Sequence, residues 1–369
     1  MHLQRRQRLT KKEVICLTDI ISIIESLPQN CSDLHISVGS SPACRINGRL
    51  MPLELPAVTE EQAERYAAQL LSEQQMKTLK KIGEADSSVT VKRNINCRVN
   101  VYKQRNMLSI AIRMLSSEIP SFEQLNLPPV MKELCMLNRG LVLITGPTGS
   151  GKTTTLSAMI NWINQNRSMH IITIEDPIEY LHQSCKCIVD QRAIGQDCIS
   201  FNSALRSALR QDPDVILIGE MRDLESISIA LSAAETGHLV LSSLHTLSAA
   251  KTIDRIIDVF PPYQQQQVRI QLASALQAVI CQQLVPLKTQ NGRIAATEVM
   301  LPNPAIRNLI RENKLHQITN SIITGSKFNM RTMDASLIEL YNENLISYDD
   351  ALAYCSDLQE IKTHLKKQL

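Results

Sequence analysis

The sequence predicts an α/β protein whose parallel sheet is built around a phosphate-binding loop, and three observations support this. The apolar run Leu141–Thr145 indicates a strand covered on both faces. It is followed by Gly146–Thr153, a complete G-x-x-x-x-G-K-T pattern. The residues after the loop are apolar at helical spacing, at Leu156, Met159, Ile160 and Ile163. Strand, loop and helix in this order form the context in which the pattern binds a nucleotide.

The loop is expected to hold phosphates mainly through its backbone. Its glycines allow consecutive N–H groups to face an anion, and the following helix adds its positive N-terminal end. Lys152 is expected to reach the β- and γ-phosphates, and the Thr153 hydroxyl to ligate Mg²⁺, so ATP and Mg²⁺ are the predicted substrate and metal. The candidate nucleotide-binding residues are Gly146, Pro147, Thr148, Gly149, Ser150, Gly151, Lys152, Thr153 and Thr154.

Composition limits the classes of protein that the chain could be. Its 369 residues predict about two or three domains, and 44% hydrophobic residues are enough for substantial cores. A formal net charge of +3 gives no argument for nucleic acid, and no nucleic-acid partner is expected. Ten cysteines without a paired C-x-x-C spacing are typical of reduced thiols in the cytosol. Because no apolar run approaches the roughly 18–20 residues of a membrane span, we expect a cytoplasmic protein.

The chain begins with a basic segment, residues 1–13, that has the charge of a signal peptide's start. Asp19 interrupts the apolar stretch that follows, and no small-residue cleavage site comes after it. We therefore interpret the segment as a solvated tail, with contact to acidic lipid as the alternative. A helical stripe precedes Pro28, at Val14, Leu17, Ile21 and Ile24.

Residues 14–115 are predicted to form a small α+β domain. Residues 33–38 alternate apolar and polar side chains, which indicates a half-buried strand. The pair Asn47-Gly48 predicts a hairpin turn, and the capping box Thr59–Gln62 opens a helix that extends to about Lys81. Three further strands are predicted at residues 88–92, 97–102 and 108–114.

Two arginines in this domain are candidates for a catalytic role. Alternation along the strands places Arg98 and Arg113 away from the buried faces of those strands. Solvated charge on a sheet is one interpretation. The other is that an arginine reaches the phosphates of a neighbouring subunit and stabilises charge on the transferring phosphoryl group.

The second half of the chain carries the pattern of an α/β core. Residues 116–138 contain three prolines and are predicted to link the domains. From Arg139 to residue 302 strand and helix patterns alternate, and residues 303–369 are predicted to form a helical region. The predicted core strands are residues 141–145, 171–174, 215–218, 239–243 and 294–300.

The acidic residues can be sorted by the end of the strand at which they lie. Ligands of open α/β sheets bind at the carboxyl ends of the strands. Asp214 precedes the strand 215–218, so at about 3.3 Å per residue it should lie roughly 15–20 Å from the phosphates. Glu220 follows the same strand at the correct end. We therefore predict that Glu220 polarises the attacking water and contributes to the Mg²⁺ site.

An acidic turn and two histidines complete the candidate site. Glu175 and Glu179 follow another core strand and could hold Mg²⁺ through water, the alternative being a turn that only starts a helix. His245 lies at the carboxyl end of its strand and is expected to sense the γ-phosphate. His238 lies at the other end; nucleotide contact is one prediction for it, and a structural role is the alternative.

The order of these segments resembles the type II/type IV secretion ATPase superfamily, the ring-forming motors of pili and secretion systems. The matching segments are Gly146–Thr153, Ile174–Glu179, Gly219–Asp223 and Thr236–Thr246. Within the superfamily the chain is similar to the retraction ATPases of type IV pili. Ala305–Glu312 matches a segment characteristic of retraction motors, and the four-cysteine metal-binding element of their relatives is absent from the sequence. The resemblance runs from about residue 30 to about residue 345.

The resemblance implies a RecA-like ATPase core, a PAS-like N-terminal domain and a homohexamer. In that family the N-terminal domain gives arginines to the adjacent subunit's site, which favours this role for Arg98 and Arg113, with Arg105 as a further candidate. It also implies that ATP hydrolysis drives pilus retraction for twitching motility. The implied place is the cytoplasmic side of the inner membrane, where a platform protein and a paralogous accessory ATPase are the expected partners. The alternatives are a related motor for secretion or DNA transfer, and a nucleotide-gated accessory subunit of a pilus motor.

The Ala305–Glu312 segment predicts a helix with one apolar and one polar face. Arg307 and Arg311 fall on the polar face, far along the chain from the phosphate-binding segments. We expect this face to pass ATP-driven movement to a partner, and replacement of either arginine to leave folding intact.

Overall fold

The computed structural model describes residues 19–28, 31–46, 49–91, 95–115, 118–288 and 292–365. The chain forms two compact units, the first containing residues up to Glu118 together with Glu179–Leu181, and the second containing the rest. The predicted tail of residues 1–13, the apolar positions Val14 and Leu17 and the Asn47-Gly48 turn lie outside the described residues.

The first unit contains a six-stranded antiparallel sheet with the order β3-β2-β1-β6-β5-β4. As the alternation predicts, Val99 and Ile112 are buried while Arg98 is exposed. The strands are β1 (Cys31–Ser37), β2 (Ala43–Ile46), β3 (Arg49–Pro52), β4 (Glu84–Val91), β5 (Ile95–Gln104) and β6 (Met107–Leu115). The helices are α1 (Ile20–Ser26), α2 (Glu60–Leu70) and α3 (Glu73–Ile82).

The single helix predicted from Thr59 to about Lys81 is wrong, because α2 and α3 are separate. Leu71 has extended backbone angles and is buried, so the chain turns there. Ser72 then caps α3 by accepting from the Gln75 backbone N–H, and the Gln75 side chain accepts from Ser72 in return. This second capping box competes with continuation of the helix.

The second unit contains a seven-stranded sheet with the order β13-β12-β7-β11-β10-β8-β9. All neighbouring strands are parallel except β13, which is antiparallel to β12. The strands are β7 (Gly140–Thr145), β8 (His170–Glu175), β9 (Ile188–Ala193), β10 (Val215–Ile218), β11 (Leu239–Leu244), β12 (Leu276–Pro286) and β13 (Arg293–Met300). The helices are α4 (Val130–Cys135), α5 (Lys152–Asn166), α6 (Phe201–Ala208), α7 (Leu224–Glu235), α8 (Ala249–Asp258), α9 (Pro262–Ala275), α10 (Pro304–Arg311), α11 (Ile318–Thr324), α12 (Met333–Asn342), α13 (Tyr348–Tyr354) and α14 (Leu358–His364), with 3₁₀ turns at Leu315–Gln317 and Ser326–Phe328.

Both faces of this sheet are buried, which confirms the predicted α/β core. Leu143 packs on one face in a cluster that includes Ile306 and Leu337 of the C-terminal helices. Ile144 packs on the other face, where Trp162 of α5 is partly buried. The five predicted core strands are present, but β9 and β12 were not predicted. Among the described residues, no helix combines the length and apolar character needed to cross a membrane.

Candidate nucleotide-binding site

The phosphate loop leaves the carboxyl end of β7 and enters α5 at Lys152. Gly146 and Gly151 have φ values of 146° and 87°, a region in which L side chains are strained. Packing adds a second restriction, since a Cβ on Gly146 would lie 2.2 Å from the Gln282 carbonyl oxygen. The glycines at both positions are therefore required by the shape of the loop.

Lys152 is only 8% exposed and lies against the loop that precedes it. Its Nζ donates to the carbonyls of Gly146 and Pro147, both at 3.0 Å. The same Nζ lies 3.4 Å from Nδ1 of His245. Because an ammonium can only donate, Nδ1 is the acceptor in this contact.

Glu220 follows β10 at the same edge of the sheet and contacts His245. Nε2 of His245 lies 3.3 Å from Oε1 of Glu220. Arg222 contacts the other carboxylate oxygen through Nε and Nη2, both at 2.8 Å, and this hydrogen bond raises the pKa of Arg222. The structure thus brings three predicted residues, Lys152, His245 and Glu220, into one continuous chain of contacts.

Glu175 is the last residue of β8 and is 5% exposed. Its Oε1 accepts from Thr173 Oγ1 at 2.7 Å and from Gln191 Nε2 at 3.3 Å. Parallel pairing of β8 with β10 places Glu175 at the edge where Glu220 lies. Glu179 instead belongs to the short segment that groups with the first unit. A metal-binding role stays a prediction for both glutamates.

His238 lies at the opposite edge of the sheet, where β11 begins. Its Nδ1 is 3.0 Å from the Ala233 carbonyl near the end of α7. The length of β11 separates it by roughly 20 Å from the phosphate loop of its own chain. The structure therefore does not bring His238 to the phosphate loop of its own chain, and a nucleotide contact stays a prediction for this residue. Asp214 lies at this far edge as predicted, where it accepts from the His170 backbone N–H at 2.9 Å.

Arg98 and Arg113 lie opposite each other on β5 and β6. Arg113 is 66% exposed at its side chain, and its Nε donates to Asp33 Oδ1 at 3.0 Å. Burial alone would raise the pKa of Asp33, but hydrogen bonds from Ser32 and Arg113 outweigh it and lower that pKa. Arg105, with φ of 49°, lies in the turn between the two strands. An open cavity of about 440 Å³ is lined by Asp33, His35, Asp86, Arg98, Asn100, Ala111, Ile112 and Arg113.

Two supporting residues were not predicted. The Gln282 side chain lies under the loop, where Nε2 donates to the Ser150 carbonyl and Oε1 accepts from Thr155 Oγ1, both at 2.8 Å. Ser243 Oγ donates to the Gly219 carbonyl at 2.6 Å and fixes the turn that carries Glu220. No pattern in the sequence indicates Gln282, because the strand that contains it, β12, was not predicted.

The helix α10 differs from expectation at one arginine. Nη1 of Arg307 donates to the Ala273 carbonyl and, at 3.0 Å, to the Ser274 carbonyl at the end of α9. The prediction that Arg307 belongs to a solvated polar face is therefore wrong. Arg311 is exposed as expected.

Comparison with known proteins gives consistent matches over most of the chain. Residues 10–344 match the family described as type II/IV secretion system protein. The chain is 45% identical over 335 residues to the type IV pilus retraction ATPase PilT of Pseudomonas aeruginosa, which covers 91% of this chain and 96% of that protein. It is 44% identical over 333 residues to a twitching motility protein of Neisseria gonorrhoeae, which covers 90% and 89%. A crystal structure of the pilus retraction motor PilT with bound ADP is similar, with a TM-score of 0.87, 47% identity and coverage of 94% and 99%.

Proposed function

The chain belongs to the type II/IV secretion system protein family, and on that premise we propose that it is an ATPase that drives retraction of type IV pili. The observation that carries the catalytic part is the contact chain from Lys152 through His245 to Glu220. It places an ammonium, an imidazole and a carboxylate beside the phosphate loop. The likeness to a retraction ATPase over 91% of the chain supports the pilus part.

The loop residues fit the phosphates of ATP. Ser150 Oγ is buried without a hydrogen-bond partner, and the loop's backbone and the start of α5 add N–H donors. Mg²⁺ would be held by Thr153, with Glu175 and Glu220 acting through water, and it would neutralise charge on the phosphates. In the part of the chain that the structure describes, no cluster of three His, Cys, Asp or Glu side chains could enclose a metal. That fits a cation held largely by phosphate and water.

Hydrolysis needs a water molecule in line with the γ-phosphate and a group that orients it. Glu220 supplies that group and takes the proton of the attacking water. His245 and Arg222 contact different oxygens of the carboxylate and so fix its plane. Lys152 exchanges its contacts with loop carbonyls for the phosphates when ATP binds. Since His245 touches both Lys152 and Glu220, it links phosphate binding to activation of the water.

Completion of the site by a neighbouring subunit is a further part of the proposal. Arg98 and Arg113 act on the phosphates held by the adjacent chain, and the chains form a homohexameric ring. The exposure of Arg113 and its place beside Arg98 on a polar sheet surface support this role. When Arg113 binds the neighbour's phosphates, it leaves the carboxylate of Asp33 for groups that carry more negative charge.

The proposed place of action is the cytoplasmic face of the inner membrane at the base of the pilus. A platform protein in that membrane and a paralogous accessory ATPase are the proposed partners. The deciding experiment is deletion of the gene, scored for pilus number and surface motility. Many pili with no motility, restored by the wild-type chain and not by Glu220→Gln, is the expected result. Cells without pili would instead indicate an assembly motor, and normal pili with defective export would indicate a secretion motor.

A further inference from the structure

The strand β12 runs past the end of β7 and lies beside the start of the phosphate loop. Cys281 is the register partner of Thr145, the last residue of β7. The next residue, Gln282, is 3% exposed, and its carbonyl oxygen occupies the space that a side chain on Gly146 would need. The strand therefore forms a wall against which the loop is packed.

The Gln282 side chain spans the loop and the helix that follows it. A backbone carbonyl can only accept, so the amide nitrogen must face Ser150, and the amide oxygen must face the Thr155 hydroxyl. Ser150 and Thr155 are 2% and 1% exposed, so water does not compete for either contact. Loss of the amide would leave a buried carbonyl and a buried hydroxyl without these partners.

The two bonds fix both ends of the segment that carries Lys152 and Thr153. Ser150 precedes these residues and Thr155 follows them, one turn into α5. A contact that holds Ser150 and Thr155 to one rigid strand therefore limits how far Lys152 can move. We propose that Gln282 is a positioning residue for nucleotide binding, which keeps the loop in its phosphate-binding shape. This inference rests on the proposed function, because it concerns the affinity of the same site.

The test compares two adjacent glutamines on β12. Gln282→Met keeps the length of the side chain and removes both hydrogen bonds, and it should weaken ADP binding by about tenfold in calorimetric titration. Gln283→Met is the matched control, since Gln283 Nε2 donates to the Tyr354 carbonyl in the C-terminal region at 3.3 Å. The control should bind ADP within about twofold of wild type. Melting temperature without nucleotide is measured for each protein.

A structural role alone would give a different result. If Gln282→Met only lowers the melting temperature or the fraction of active sites, with wild-type affinity per active site, the proposal is overturned. Thr155→Val removes one of the two bonds with little change in shape and should weaken ADP binding by about threefold. If Gln282→Met does not fold, Thr155→Val decides the test. Unchanged ADP affinity in Thr155→Val overturns the proposal. A wild-type chain that binds no ADP would instead contradict the proposed function itself.

Discussion

The imidazole of His245 lies 3.3 Å from the carboxylate of Glu220, and this contact joins β11 and β10 where the two strands end. Lys152, which contacts the other ring nitrogen, is 93 positions away from His245 in the chain. The parallel sheet thus brings three separate segments to one edge. Lys152 can only donate, so Nδ1 is the ring nitrogen that faces the ammonium and Nε2 the one that faces the carboxylate.

Glu220→Gln should retain nucleotide binding and lose about 10²–10⁴-fold in turnover, because an amide cannot take the proton of the attacking water. Lys152→Ala should weaken binding itself. Calorimetric titration with ADP and steady-state phosphate release separate the two effects. Glu225→Gln is the control, since this carboxylate lies on α7 in an ion pair with Arg206. Turnover by Glu220→Gln within a few-fold of wild type would show that the catalytic assignment is wrong.

His245→Ala should lower the turnover rate by roughly 10–100-fold, because it removes the contact that orients Glu220. His238→Ala provides the comparison within the same segment. Its ring contacts the Ala233 carbonyl at the far edge of the sheet, so we expect the turnover rate to stay near wild type. Phosphate release at saturating ATP measures both. If both variants lose the same turnover rate, the assignment of His245 rather than His238 to the site is contradicted.

Glu175→Gln should raise the Mg²⁺ concentration needed for half-maximal activity, because a neutral amide attracts the hydrated cation less strongly. The same change at Glu179 tests the second carboxylate of this turn. Activity is measured in a titration with Mg²⁺ after removal of metal by a chelator. Asp190→Asn on β9, an exposed acid, is the control. An unchanged Mg²⁺ dependence in both glutamate variants would leave the turn with a structural role only.

Arg113→Ala and Lys152→Ala proteins should each be inactive, and their mixture should recover part of the activity. Some interfaces in a mixed ring would pair an intact loop with an intact arginine from its neighbour. A mixture of Lys152→Ala with Glu220→Gln is the control, since both changes affect the half of the site that one chain supplies. Native mass spectrometry shows whether mixed rings form. Mixed rings without recovery would argue against the role of Arg113 in trans.

Arg307→Ala should lower the free energy of unfolding by about 1–3 kcal/mol, because it removes a charged donor from carbonyls at the end of α9. Arg311→Ala should change it by less than about 0.5 kcal/mol, as is usual for an exposed residue. Urea unfolding followed by circular dichroism measures both. If cells that carry Arg311→Ala retract no pili although the variant's ATPase rate is normal, Arg311 has the coupling role predicted for the polar face. Equal stability of the two variants would contradict a stabilising effect of the hydrogen bonds from Arg307 to α9.

Local patterns predicted the parts of the molecule that are governed by neighbouring residues. The strand Leu141–Thr145, its glycine loop and the alternation around Arg98 all repeat over a few positions, and the structure confirms them. The end-of-strand rule also placed Glu220 and Asp214 at opposite edges, because strand direction alone determines this.

Contacts between distant positions could not be predicted in this way. Gln282 reaches the loop over 132 positions, and Arg307 reaches α9 over 33 or more. The acceptors in these contacts are backbone carbonyls. Every residue has one, so no residue type in the sequence indicates such a contact. The strand β12 was missed because two adjacent glutamines, Gln282 and Gln283, interrupt its apolar pattern, although each is satisfied on a different side of the strand.

Trp162 is the chain's single tryptophan, and it lies partly buried on the helix that begins at Lys152. Ten residues separate the two, which is about 15 Å along an α-helix. Ultraviolet emission excited at the indole band therefore comes from one site in the unmodified protein. A spectral shift on adding nucleotide would come from the surroundings of this one helix, so its movement can be followed in real time without a label.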